Sequence, residues 1–186
     1  MAENIAFRGW PHCQRLTNGI AEVIVTTDVG PRVVRYGFVG RENVLCEVHA
    51  EDGLTGGSAW HTFGGHRLWH SPEASPRTYQ PDNVPVPFKA DGNHLLLRPA
   101  VEQTTGIQKE LNILLAPTGT DVTLTHRLIN RSLWPVRCAA WGITVMAPGG
   151  IEVLPQARTD TGLLPNRCVA LWPYAHMDDE RVHWGN

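Results

Sequence analysis

Residues 13–26 read Cys13-Gln14-Arg15-Leu16-Thr17-Asn18-Gly19-Ile20-Ala21-Glu22-Val23-Ile24-Val25-Thr26, and this stretch decides the fold class. Four of the seven residues from 20 to 26 are Ile or Val, whose branching at Cβ suits a pleated, half-buried surface. Asn18-Gly19 between two such runs is a strong hairpin signal, because both residues accept positive φ. Residues 13–16 and 20–26 are therefore read as antiparallel strands around a tight turn.

The same pattern continues outward. Asp28-Val29-Gly30-Pro31 punctuates the chain, residues 32–39 return as a β-branched strand ending at Gly40, and residues 43–48 read as a further short strand. The first fifty or so residues thus look like an antiparallel meander. Beyond them, residues 95–98, 107–116 and 122–129 alternate, with Leu111, Ile113 and Leu115 on one face and Val122, Leu124 and Leu128 on one face of the next run. Residues 136–146 form a mostly apolar strand carrying Trp141-Gly142. Pro72, Pro76, Pro81, Pro85 and Pro87 interrupt the middle; proline cannot donate to a ladder, so residues 71–87 are expected to leave the sheet as an extended surface excursion. No stretch sustains helical spacing with caps. The expectation is an all-β fold, an antiparallel sandwich in a single domain over residues 1–186.

Composition narrows the function classes. Of the 186 residues, 42% are hydrophobic and 18% charged, with 18 Gly and 14 Pro, which favours short elements joined by turns. The formal net charge is −2 and no Lys/Arg run tracks phosphates, which speaks against nucleic acid or an anionic membrane as partner. No apolar run has the length of a signal core or a membrane span, so the cytoplasm is the expected compartment. Cys13, Cys46, Cys138 and Cys168 form no C-x-x-C pair and are read as buried free thiols.

The chemistry concentrates in residues 58–73, Ser-Ala-Trp-His-Thr-Phe-Gly-Gly-His-Arg-Leu-Trp-His-Ser-Pro-Glu. Indole planes beside fork-shaped donors and titratable groups suit a sugar, whose CH-rich faces stack while its hydroxyls take directed hydrogen bonds. Arg67 and His66 are the first candidates for ligand contact; the alternative for Arg67 is an ion pair with Glu73. Trp60 and Trp69 are stacking platforms or core, and His70 and Glu73 complete the local set. His126, on the face of Val122, Leu124 and Leu128, is a proton donor or a core histidine, and Glu110 and Glu102 are candidate bases. Asp160 and Asp178-Asp179-Glu180 read as solvated charge. His61, His66 and His70 with Glu73 are the best metal set, although their spacing matches no helical motif. No nucleophile elbow, phosphate loop or dinucleotide fingerprint is present, and no cofactor is called for.

Several segments resemble the galactose mutarotase (aldose 1-epimerase) superfamily, in particular its epimerase-like bacterial branch. Leu16 to Tyr36 followed by Glu42-Asn43-Val44-Leu45 resembles the opening strands; Phe63-Gly64-Gly65-His66-Arg67-Leu68-Trp69-His70-Ser71-Pro72-Glu73 resembles the segment that brings an arginine to the sugar site; residues 121–136 and 141–150 resemble later strand pairs. The resemblance implies a curved antiparallel sandwich binding carbohydrate on its concave face. It also implies a histidine acid and a glutamate base that move protons between anomeric hydroxyl and ring oxygen. This chain departs from the pattern: Ala139-Ala140-Trp141-Gly142-Ile143-Thr144 places Trp141 where the family's imidazole is expected, and the family's glutamate lies in a later strand region without a counterpart here. A short or C-terminally truncated member is expected, with an open sheet edge that a second copy could pair. The leading functional expectation is an aldose 1-epimerase relative with His66, His126 and Glu110 as proton-transfer residues and Arg67, Trp69, Trp60, His70, Glu73 and Trp141 as the binding set. The alternatives are a non-catalytic sugar-binding module and a metal-dependent hydrolase or isomerase built on His61, His66 and His70.

Overall fold

The computed structural model describes residues 2–155, 158–163, 170, 172, 176 and 178–183. The chain divides into two compact units, Met1–Gly150 and Ile151–Asn186. The second unit has no strand or helix among its described residues.

The first unit is all-β. Its strands are β1 (Glu3–Phe7), β2 (Trp10–Thr17), β3 (Ala21–Thr26), β4 (Arg32–Phe38), β5 (His66–Ser71), β6 (Phe88–Asp91), β7 (His94–Leu97), β8 (Ile107–Leu115), β9 (Val122–Asn130) and β10 (Ala139–Thr144), with one 3-10 turn at His49–Glu51. They form a six-stranded sheet in the order β1-β2-β3-β4-β5-β10 and a four-stranded sheet in the order β6-β7-β8-β9, with every pairing antiparallel. Among the described residues no helix is long and apolar enough to cross a membrane.

Strand alternation sends the side chains of the six-stranded sheet into two cores. Leu16, Val23, Val25 and Val33 meet Leu95, Leu97, Leu111, Ile113 and Leu115 of the four-stranded sheet. On the opposite face Trp10, Cys13, Ile24, Val34 and Phe63 form a second cluster, roofed in part by the chain between β4 and β5. β3, a central strand covered on both sides, is buried at all six positions, and its one charge, Glu22, is held by Arg15 and Arg35 at 2.7 Å each.

The hairpin forms as expected but not by the expected turn chemistry. Gly19 takes positive φ (+85°) and Asn18 does not; instead Asn18 Oδ1 accepts from the Ile20 and Ala21 amides at 2.9 Å each. Its Nδ2 donates to the Ala116 and Gly119 carbonyls of the β8–β9 turn at 2.8 and 3.0 Å. An asparagine thus caps its own turn and ties one sheet to the other. Residues 43–48 are not a strand. The Asn43 side chain pairs with β4 backbone at Val34 (2.9 Å) and Tyr36 (3.1 Å), occupying the edge a strand would have used, and only isolated bridges at Leu45 and Glu47 remain. β1 and β6 are additional strands, both too short and exposed to have a legible pattern. Cys13 is buried, Cys46 and Cys138 are half-buried free thiols, and Cys168 lies outside the described residues.

Candidate functional site

β5 carries the candidate residues, and two glycines bring the chain into it. Gly65 donates its amide to the Cys46 carbonyl at 3.1 Å and accepts from the Val145 amide at 2.9 Å. From there β5 pairs with β10 over its full length, His66 opposite Thr144, Leu68 opposite Gly142 and Trp69 opposite Trp141. Because successive side chains on a strand alternate, His66 and His70 point between the sheets while Arg67 and Trp69 point to the opposite face.

Between the sheets, His66 Nε2 lies 2.8 Å from His126 Nε2, and the rings stack with centroids 5.0 Å apart. His126 reaches this point because it pairs with Leu111, a core residue, and so shares its inward face. His66 Nδ1 is 2.7 Å from Thr144 Oγ1. A Cβ on Gly142 would stand 3.6 Å from His66 and 3.8 Å from His126, so the glycine leaves the rings an unobstructed floor. Burial, then His126 and Arg67, push the His66 pKa down to about 4, and burial lowers that of His126. At neutral pH the pair is therefore uncharged and shares one proton. If Thr144 accepts from His66 Nδ1–H, then His126 Nε2–H donates to His66; with the hydroxyl donating, the order reverses. In both arrangements His126 Nδ1, buried and unpartnered, ends the chain.

This pair makes stability pH-dependent. His66 binds its proton in the unfolded chain near 6.5 and in the folded protein only near 4, so between those values the unfolded state holds more protons. The contribution of this group is complete above pH 6.5, falls by about 2–3 kcal/mol as pH drops towards 4 once the partial exposure of the ring is discounted, and loses nothing more below that. Urea titrations across this range check it. A His66→Gln variant should have a visibly flatter profile, and an unchanged profile would remove His66 as the cause.

His70, predicted to contact substrate, is instead sequestered. It is 1% exposed, with Nε2 3.3 Å from Glu102 Oε2. Burial lowers its pKa, against the pull of Glu102. Glu102 also takes Lys109 Nζ at 2.6 Å and Thr105 Oγ1 at 2.6 Å; burial works to raise its carboxyl, but Lys109 and Thr105 outweigh it and keep it ionised. Glu110, the expected base, is placed elsewhere. It pairs with Arg127 on β9 and forms ion pairs with Arg98 and Arg127. These lie on the face of the four-stranded sheet opposite to His126, because Glu110 precedes inward-facing Leu111. The sequence could not separate Glu110 from Glu102, since both sit near strands of the same sheet. The tertiary placement puts neither beside the histidine pair.

The three-histidine metal set does not assemble. His61 Nδ1 lies 3.4 Å from Glu51, His66 meets His126 and His70 meets Glu102, and among the described residues no three His, Cys, Asp or Glu side chains gather as metal ligands.

On the other face of β5, Arg67 lies 4.5 Å over the Trp69 ring and 5.4 Å from that of Trp60. Trp69 packs against Trp60, Tyr79 and Trp141, with centroids 5.6, 5.1 and 5.6 Å away. Trp60 and Trp141 remain half-buried, whereas Trp69 is core. Arg67 is only 7% exposed, and its hydrogen bonds go to Thr62 O (3.3 Å) and Oγ1 (3.4 Å) rather than to Glu73. Burial and then Arg32 push its pKa down to about 10, which still leaves it a cation. Glu73 is hydrogen-bonded by the Tyr79 hydroxyl. Arg32, Thr62 and Tyr79 were absent from the sequence reading. Arg32 fixes the segment holding Thr62, with Nη1 3.1 Å from Thr62 O and Nη2 2.9 Å from Asp82. A hollow of about 520 Å³ opens at Gly40, Arg41 and Glu42, where no candidate residue lies.

Comparison with known proteins gives no match, whether to family profiles, curated proteins or solved structures. The likeness to mutarotases therefore rests on the quoted sequence segments.

Proposed function

We propose that this is a carbohydrate-binding protein that takes its ligand on the outer face of β5 and β10, with Trp141 and Trp69 against the sugar ring and Arg67 on its polar edge. The observation that carries the reading is the layered arrangement of Arg67, Trp69 and Trp141, in which a half-buried indole is backed by a buried one. Indole faces and a guanidinium held in fixed positions lose little freedom when a ring stacks on them. A compartment in the cytoplasm, a mutarotase-like ancestry and pairing of a second copy at the outer edge of β10 belong to the same reading.

A second reading, anomer interconversion of the aldose 1-epimerase kind, is favoured by the neutral His66–His126 pair, since one imidazole donates while the other accepts. It is the weaker of the two because the pair and the Arg67–Trp face lie on opposite sides of β5.

Titration with D-glucose, D-galactose, D-glucuronate and D-glucose 6-phosphate, followed by tryptophan fluorescence, tests the binding reading. Trp141→Ala should weaken binding about tenfold, at a cost in stability of about 1–2 kcal/mol from the lost packing on Trp69. Absence of any sugar-dependent signal would sink it. Polarimetry of freshly dissolved sugar tests the second reading, which requires acceleration above buffer that disappears in His66→Gln.

A further inference from the structure

Several arginine side chains in this protein use the Nε side of the guanidinium fork for carboxylates, whereas Arg32 and Arg127 meet theirs through Nη2 and Nη1. Arg98 places Nε (2.8 Å) and Nη2 on Glu110 Oε2, and Arg8 places Nε on Asp52 at 2.6 Å. Arg15 and Arg35 each put Nε on Glu22 at 2.7 Å. Arg32 also leaves its Nε buried without a partner, but its Nη2 holds Asp82; Arg67 is the buried arginine that pairs with no carboxylate among the described residues. Its Nη1 is committed to Thr62, its Nε is buried with no partner, and its Nη2 makes no hydrogen bond to any described residue. The Nε/Nη2 edge is the side that receives a carboxylate or phosphate through two parallel N–H···O bonds.

The rings around it do not answer this need. Trp69 and Trp60 meet the guanidinium through ring faces, and a cation–π contact engages the π-cloud while the N–H bonds lie in the guanidinium plane. Nor does a neighbouring acid serve: Asp82 is taken by Arg32 at 2.9 Å, and Glu51 Oε2 accepts from the Phe63 amide at 2.5 Å. A second donor in the same cluster is also unanswered, since Trp60 Nε1 is buried without a partner. Leaving a buried cation and an indole N–H unsatisfied is costly unless something else fills the role.

We infer that the Nε/Nη2 edge of Arg67, with Trp60 Nε1 beside it, is the receptor for an oxyanion carried by the sugar, so that the ligands of this site are acidic sugars, uronates or sugar phosphates, rather than neutral hexoses. This rests on the sugar-binding reading and names its ligand class. The ring of such a ligand lies on Trp141, and the Trp60 side chain, which ends the exposed run of residues 54–59, shifts to admit the anionic group while its N–H donates to it.

The test is calorimetric titration of the whole chain with D-glucuronate, D-glucose 6-phosphate, D-glucose, acetate and inorganic phosphate. At least one acidic sugar should bind about tenfold or more tightly than glucose, and the stronger of the two distinguishes carboxylate from phosphate. In Arg67→Lys, which keeps the charge but loses the fork, the ratio of acidic to neutral affinity should fall to about one. Trp60→Phe, which keeps the ring and deletes the N–H, should lower that ratio about threefold and serves if the first variant fails to fold. Equal affinity for glucose and both acidic sugars overturns the inference and leaves the sugar reading standing. Binding of acetate or phosphate that depends on Arg67, with no sugar bound, supports the anion receptor and removes the sugar. No binding of any anion overturns the inference outright.

Discussion

Replacing Gly65 with alanine is expected to lower the unfolding free energy by about 3–5 kcal/mol. Gly65 has φ of +66°, and a left-handed conformation costs an alanine about 1 kcal/mol. The steric part is larger. A Cβ there would sit 2.0 Å from the Val33 carbonyl oxygen, with Val33 C at 3.1 Å and Val34 Cα at 3.2 Å. All three are backbone atoms of β4, so no rotamer change relieves the overlap. β4 and β5 are joined by the single ladder pair Val33–His66, and the displacement falls on that pair. The measurement is the urea midpoint at constant m. Gly56→Ala is the control: it shares a positive φ of +70° but has nothing within 4 Å of the new carbon, and should cost about 1 kcal/mol. If the two variants unfold together, close approach at Gly65 is not what fixes β5.

Arg32→Leu is expected to cost about 3–4 kcal/mol and to abolish ligand binding on the Arg67 face. The Arg32 side chain is 1% exposed. It stacks 5.0 Å from Phe63, and its Nη atoms hold Thr62 O, His61 O (3.3 Å) and Asp82. Leucine fills part of the volume yet leaves the two carbonyls and the carboxylate without donors. Thr62 is also the anchor of Arg67, so loosening residues 61–63 releases the guanidinium from its place over Trp69. Arg32→Lys separates the effects, because an ammonium can still pair with Asp82 but cannot span both carbonyls; roughly half the loss should return. Denaturation reads the stability, and fluorescence titration reads the site. Binding that survives Arg32→Leu would mean that Arg67 is positioned independently of the 61–63 segment.

Both variants act through contacts that no local reading of residues 58–73 exposes. That stretch reads as one wall of a ligand site because its tryptophans, histidines and arginine are adjacent in sequence. On a strand, adjacency sends side chains apart: His66 and Arg67 are neighbours in the chain and face different layers. The pairing of His66 with His126, sixty residues away in sequence, depends on β9 crossing above β5. His126 was nevertheless legible as an inward-facing residue, since its phase with Val122, Leu124 and Leu128 is local. Glu110 was misplaced for the complementary reason. A glutamate one residue from a core leucine must face outward, and the arginines that hold it come from β7's end and β9.

By itself the sequence determined the all-β class, the β1–β4 meander apart from its first strand, the β8–β9 pair and the proline-rich excursion, because branched side chains, turn residues and proline act on their own few bonds. Only the tertiary structure decided that the histidines and the Arg67–tryptophan cluster are separate sites, that the three histidines bind three different partners, and that Arg67 keeps an unfilled edge. Those outcomes depend on which strand lies beside β5 and which sheet covers each face, and such contacts are fixed by packing between segments far apart in the chain.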